Sequence, residues 1–117
     1  MEYALLVYGQ ETDWDRMTSE EREARFSANR AFGRELAEAG VRIAYGARLA
    51  RPAAAEGEAR AADGVLEVGG LWVIDVPSEQ EALGWAAKLP LSESGRVEVR
   101  RCDGPPRTNR PVGTEKR

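Results

Sequence analysis

At 117 residues the chain is long enough for one domain with a modest core. Its 42% hydrophobic and 32% charged residues are those of an ordinary water-soluble fold, and no apolar run approaches the roughly 20 residues that span a bilayer. The net charge is −3, histidine is absent and cysteine occurs once, which excludes an internal disulfide and a Cys/His metal cluster.

The first predicted element is a strand over Tyr3 to Tyr8, a nearly continuous apolar run of the kind covered on both faces. Gly9 ends it, and Gln10 to Arg16 read as an acidic loop holding Trp14. Thr18-Ser-Glu-Glu21 is the signature of a capping box, with Thr18 as the cap, and opens a helix over about Ser19 to Ala39. Phe26, Asn29, Gly33 and Leu36 form its stripe, with Phe32 beside it, and Glu21 and Arg25 are spaced as a supporting i,i+4 pair. Gly40 supplies a left-handed stop, and a second strand runs over Val41 to Leu49.

After the alanine-rich stretch from Arg51, Asp63-Gly64 suggests a small hairpin between Glu58 and Val68. Leu71 to Val76 is the clearest strand of the chain. Pro77-Ser-Glu-Gln-Glu81 is a second capping box, opening a helix over about Glu79 to Leu89 that Pro90 stops. Arg96 to Cys102 alternates as a half-exposed or edge strand does. The order is βαββαβ, the split-βαβ pattern of an α+β, ferredoxin-like domain with an antiparallel sheet.

Residues 1–102 are expected to form the domain and residues 103–117 a disordered tail rich in proline. That tail carries Arg107, Arg110, Lys116 and Arg117 against Asp103 and Glu115, a net +2 that leaves −5 on residues 1–102. An acidic body does not suit a nucleic-acid surface. With no signal-like succession at the N-terminus, the expected compartment is the cytoplasm, without membrane attachment. An apolar strand one on a sheet with helices on one face predicts that a second copy covers the other face, giving a homodimer.

The candidate chemistry is sparse. Asn29 is a polar residue on an apolar helix face, able to hold a carbonyl or an enolate-like oxygen, or simply to be satisfied by backbone. Asp75, if turned inward, would be a carboxylate of raised pKa and a general base; a structural role at the strand end is the competing reading. Tyr8, Tyr45 and Trp72 are candidates to line a substrate cleft, and Arg48 to clamp a carboxylate, against plain core packing and a surface arginine. Trp14 is placed to cover the cleft or a dimer edge, and Trp85 reads as core. Cys102 has no activating neighbour. No ligand spacing for a metal and no phosphate loop is present, so no cofactor is expected.

Glu2-Tyr-Ala-Leu-Leu-Val-Tyr-Gly9, the helix end Glu-Leu-Ala-Glu-Ala-Gly40, Gly-Gly-Leu-Trp-Val-Ile-Asp-Val-Pro77, and Glu-Ala-Leu-Gly-Trp-Ala-Ala87 followed by Val-Glu-Val-Arg100 resemble the YCII-related, or DGPF-domain, family. The resemblance covers about residues 2–101 and implies a ferredoxin-like dimeric α/β barrel. The Asp-Gly-Pro-Phe segment that names one branch is missing before Gly69. The His and Asp associated with another branch fall on Asn29 and Leu89, so that acid–base pair does not carry over.

The resemblance therefore implies three functions. One is a small cofactor-independent enzyme acting on a carbonyl-rich or phenolic metabolite (a lyase, isomerase, cyclase or oxygenase), with Asn29, Tyr45 and Arg48 positioning it. Related dimeric barrels include cofactor-free oxygenases that rely on Asn, Trp and Tyr. The second is a non-catalytic small-molecule-binding module. The third is a protein-interaction accessory, since such proteins occur beside transcription factors and biosynthetic enzymes, including those of secondary metabolism.

Overall fold

The computed structural model describes residues 1–50 and 66–103. Its elements are β1 (Glu2–Gly9), α1 (Glu11–Arg16), α2 (Ser19–Glu38), β2 (Arg42–Arg48), β3 (Glu67–Asp75), α3 (Glu79–Ala86) and β4 (Arg96–Arg101). The expected hairpin lies largely outside the described residues, as does the tail beyond Asp103.

The strands form one sheet in the order β2-β3-β1-β4, every neighbouring pair antiparallel. β1 and β2 therefore run parallel with β3 inserted between them, which is the split-βαβ arrangement of a ferredoxin-like fold. The α+β reading of the sequence holds. One expectation is corrected: Gln10 to Arg16 is not a loop throughout, because Glu11–Arg16 winds into α1. β3 also starts four residues earlier than the apolar run suggests, taking in Gly69 and Gly70.

The ends of α2 are built as the sequence implies. The Glu21 N–H donates to Thr18 Oγ1 at 3.1 Å and the Thr18 N–H donates to Glu21 Oε1 at 2.9 Å, both arms of the capping box. At the other end Gly40 takes φ +79°, a region costly for any residue with a Cβ. The Val41 N–H then reaches the Leu36 carbonyl and the Gly40 N–H the Ala37 carbonyl, the paired bonds of a Schellman stop. At α3 the structure holds one arm of the second box, from the Glu81 N–H to Ser78 Oγ at 3.2 Å.

The core lies between the sheet and the helices. Tyr3 and Leu5 of β1, Phe32 and Leu36 of α2, Ile74 and Val76, and Ala82, Ala86 and Leu89 are buried together. Phe32 stands edge-on to both Trp72 and Trp85, with centroids 5.1 and 6.2 Å away. Phe32 is thus central to the helix stripe rather than beside it, while Phe26 is 39% exposed.

Strand alternation sends Ala4 and Leu6 to the opposite face, in register with Leu71 and Val73 of β3. β1 is accordingly buried on the helix side only, and Leu6 is half-buried. Two irregularities modify this alternation. Ile43 pairs with Ile74 but Tyr45 with Val73, so Ala44 is an extra residue in β2; Val7 pairs with Gly70 but Tyr8 with Val68, so Gly69 is extra in β3. Such insertions bend a sheet and re-aim the side chains beyond them.

Candidate functional site

Phe32 and Leu36 hold the C-terminal half of α2 in the core, whereas Arg25, Phe26, Asn29 and Arg30 of its N-terminal half line a cavity. That cavity has a volume of about 510 Å³, within the range of roughly 300–1,000 Å³ usual for small-molecule sites. Trp72, Ile43 and Val7 form its floor on the sheet, Phe26 and Asn29 its roof on α2, and Trp14 and Met17 one side. Pro90 and Ser92, following α3, close another edge.

Trp72 sets the depth of the floor. An ideal Cβ on Gly46 would come within 3.1 Å of the indole, and one on Gly33 within 3.3 Å. The ring is therefore seated between two residues that carry no side chain, one on β2 and one on α2.

The six residues singled out in the sequence separate into two groups. Tyr8, Asn29, Arg48 and Trp72 line the cavity. Tyr45 and Asp75 are not among the lining residues. The Ala44 bulge is the reason for Tyr45: it turns that residue onto the face of Val73, where it is 50% exposed. The same insertion brings Arg48 into register with Gly70, whose partner on β1 is Val7 of the cavity floor.

Asp75 contrasts with the inward base considered above. It lies at the end of β3 that pairs with Glu2 and Arg42, where the Met1 ammonium donates to Oδ1 at 2.9 Å and an Arg42 nitrogen lies 3.7 Å from Oδ2. The hydrogen bond from the N-terminal ammonium, helped by the charge of Arg42, holds its pKa below the ordinary carboxylate value. A carboxylate so held is a weak base at neutral pH.

Tyr8 borders the cavity, but its hydroxyl donates elsewhere, to Glu98 Oε1 at 3.0 Å. The Arg96 guanidinium lies 4.5 Å from the Tyr8 ring centroid. Tyr8 is opposite Arg96 in register. The bond to Glu98 is the main cause that raises the phenol's pKa, so the hydroxyl stays protonated at neutral pH.

Asn29 Nδ2 donates to the Arg25 carbonyl at 2.9 Å, one helical turn back. One amide N–H is thereby occupied, and the second N–H and Oδ1 are what Asn29 can offer a ligand. Arg48 donates to the Leu49 carbonyl and lies 4.1 Å from the centroid of Trp14. Its guanidinium is fixed by stacking as well as by hydrogen bonding.

The sequence reading placed Trp14 over the cleft or at a dimer edge and gave Asp13, Arg25, Phe26 and Arg30 no role at a site. α1 brings Asp13 and Trp14 to the cavity, and α2 adds Arg25, Phe26 and Arg30. α1 is tied down at three points. Arg22 donates through Nε and Nη2 to the Trp14 carbonyl at 3.2 and 2.9 Å, Ser94 Oγ donates to Asp13 Oδ2 at 3.0 Å, and Trp14 meets Phe26 edge-on at 5.5 Å. The one signal for these residues was Trp14, a large aromatic in an otherwise polar stretch.

A family model described as YCII-related domain matches residues 1–102. The chain belongs to the YCII-related family. Comparison with curated proteins finds no match. The family match spans every described element of the fold and all the walls of the cavity named above. In this YCII-related chain Asn29 lines the cavity, whereas Leu89 is buried in the core and does not. Among the described residues no group of three or more His, Cys, Asp or Glu side chains is arranged to hold a metal, and no helix is long and apolar enough to cross a membrane.

Proposed function

We propose that the cavity is a small-molecule site for a compact planar metabolite of the phenolic or carbonyl-rich class. The observation that supports this is the cavity itself: about 510 Å³, floored by Trp72, with Phe26 above and Trp14 beside it. Aromatic walls of this kind suit a flat, partly apolar ligand, and the polar and charged groups among them would orient it. Asn29 and Arg48 are the orienting groups in this reading; the Tyr8 side chain turns to Glu98 and Arg96 on the other face of the sheet.

Turnover without a cofactor is compatible with the same arrangement. The remaining Asn29 N–H and the nearby guanidinium groups could stabilise an oxygen on which charge develops. The reading also takes the protein to be a homodimer, joined through the sheet face opposite the helices.

The test is calorimetric titration of the full chain with 2-naphthol and phenol, with unrelated aliphatic alcohols as controls. Saturable one-to-one binding of an aromatic, lost when Trp72→Ala hollows the floor of a still-folded protein, is the expected result. Absence of binding by every aromatic would overturn it. A substrate found this way separates enzyme from binder: Asn29→Ala removes product formation in the first case and leaves nothing to remove in the second.

A further inference from the structure

We infer that the ligand of this cavity carries a carboxylate, and that Arg25 is the residue that reads it. The inference rests on the reading of the cavity as a small-molecule site and names the chemistry of its occupant. Four charged side chains line the cavity: Asp13, Arg25, Arg30 and Arg48. Their partners set three of them apart from the fourth.

Asp13 accepts from Ser94 Oγ and lies 3.8 Å from Arg16. Arg30 is bound to Glu23 at 2.8 Å. Arg48 is stacked on Trp14 and donates to the Leu49 carbonyl. Arg25 has no carboxylate partner among the described residues. The partner its spacing implies is Glu21, but the Glu21 carboxylate accepts the Thr18 N–H at 2.9 Å as one arm of the α2 cap.

Closing the helix cap thus leaves a half-buried guanidinium at the cavity wall without its i,i+4 counter-charge. Asn29 bonds to the Arg25 backbone carbonyl, which puts the free positions of that amide beside the same turn of α2. A planar guanidinium binds a carboxylate through two parallel N–H bonds. One guanidinium without a carboxylate partner matches the single charge of a carboxylate, and the aromatic floor matches a ring that bears it. The positive excess of the lining, three arginines against one aspartate, favours the same sign of ligand.

The experiment compares pairs of equal shape: 2-naphthoate against 2-naphthol, and benzoate against phenol, titrated into the full chain by calorimetry. The carboxylates are expected to bind at least about ten-fold more tightly than the phenols, a ratio that falls as salt is raised. Arg25→Gln should remove most of that preference while changing phenol affinity less than about two-fold, and Arg25→Lys should restore part of it. Equal affinity for the two members of each pair, or an equal loss for both in Arg25→Gln, overturns the inference and leaves the cavity reading standing. Failure of all four compounds to bind overturns the cavity reading and the inference with it.

Discussion

The seat of Trp72 is the most sensitive single position in the cavity. A methyl group on Gly46 would stand 3.1 Å from the indole, closer than side-chain carbons normally approach, and the ring is held from the other side by Gly33 and Phe32. Gly46→Ala is therefore expected to destabilise the fold by about 1–3 kcal/mol, the usual cost of overpacking, and to shift tryptophan emission. Gly84→Ala is the counter-case, because nothing lies within 4 Å of its new methyl on α3; there the gain in helix propensity should stabilise by about 0.5–1 kcal/mol. Urea unfolding of both variants checks the pair, and a loss at Gly84 as large as at Gly46 would refute the steric account. A pH dependence belongs to this scale too. The Asp75 carboxyl has a folded-state pKa below its ordinary 3.8, so its ion pairs stabilise the protein above that value and are lost as pH falls through the folded one. Wild type should exceed Asp75→Asn in melting temperature at neutral pH. The gap should close as the solution is acidified below pH 3.8, and a gap constant with pH would exclude the linkage.

The next scale is that of α1, a six-residue helix whose N-cap, Gln10, makes no side-chain cap bond. A helix so short does not stand on its own hydrogen bonds; what holds it here is Arg22 on the Trp14 carbonyl together with the contacts of Trp14 and Asp13. Arg22→Met should accelerate amide exchange at Met17, whose N–H bonds the same carbonyl, while the α2 amides from Phe32 to Leu36 stay protected. Uniform acceleration along both helices would mean that the bond supports the whole fold and not α1 locally. This element also marks where sequence patterning stops being informative. Six residues with one large apolar side chain give no periodicity to read, whereas the capping box at Thr18 and the stop at Gly40 are local chemistry and were legible. β2 shows a different limit. Residues 45 and 48 have opposite parity, so a regular strand could not present both Tyr45 and Arg48 to one cleft. Which of them faces inward depends on the inserted Ala44, and a small residue in a strand of small residues does not announce a bulge. Arg25 was hidden for a third reason: the sequence gives Glu21 two roles, in the cap and as the i,i+4 partner of Arg25, and the fold shows the cap bond at 2.9 Å.

For the molecule as a whole, the undecided surface is the sheet face away from the helices. The most apolar strands, β1 and β3, take the sheet's two central places. Yet the centre of their outer face, with Ala4 and Leu6 beside Leu71 and Val73, has no helix over it among the described residues. Charges border this strip: Arg42 with Asp75 at one end, and Arg96, Glu98 and Arg100 along its β4 side. Each of these borders holds both signs, so a two-fold axis through the strip can set apolar centre on apolar centre and arginine against carboxylate at the rims. A second copy of the chain fits that pattern without needing a partner of different charge. Sedimentation equilibrium should accordingly find a dimer at micromolar concentration, and Leu71→Glu, which puts a charge in the middle of the strip and leaves the helix-side core untouched, should give a folded monomer with its far-ultraviolet spectrum unchanged. The cavity lies on the other side of the sheet, so this monomer should still bind an aromatic ligand. A wild-type chain that sediments as a monomer at these concentrations would exclude the second copy as the cover of this face.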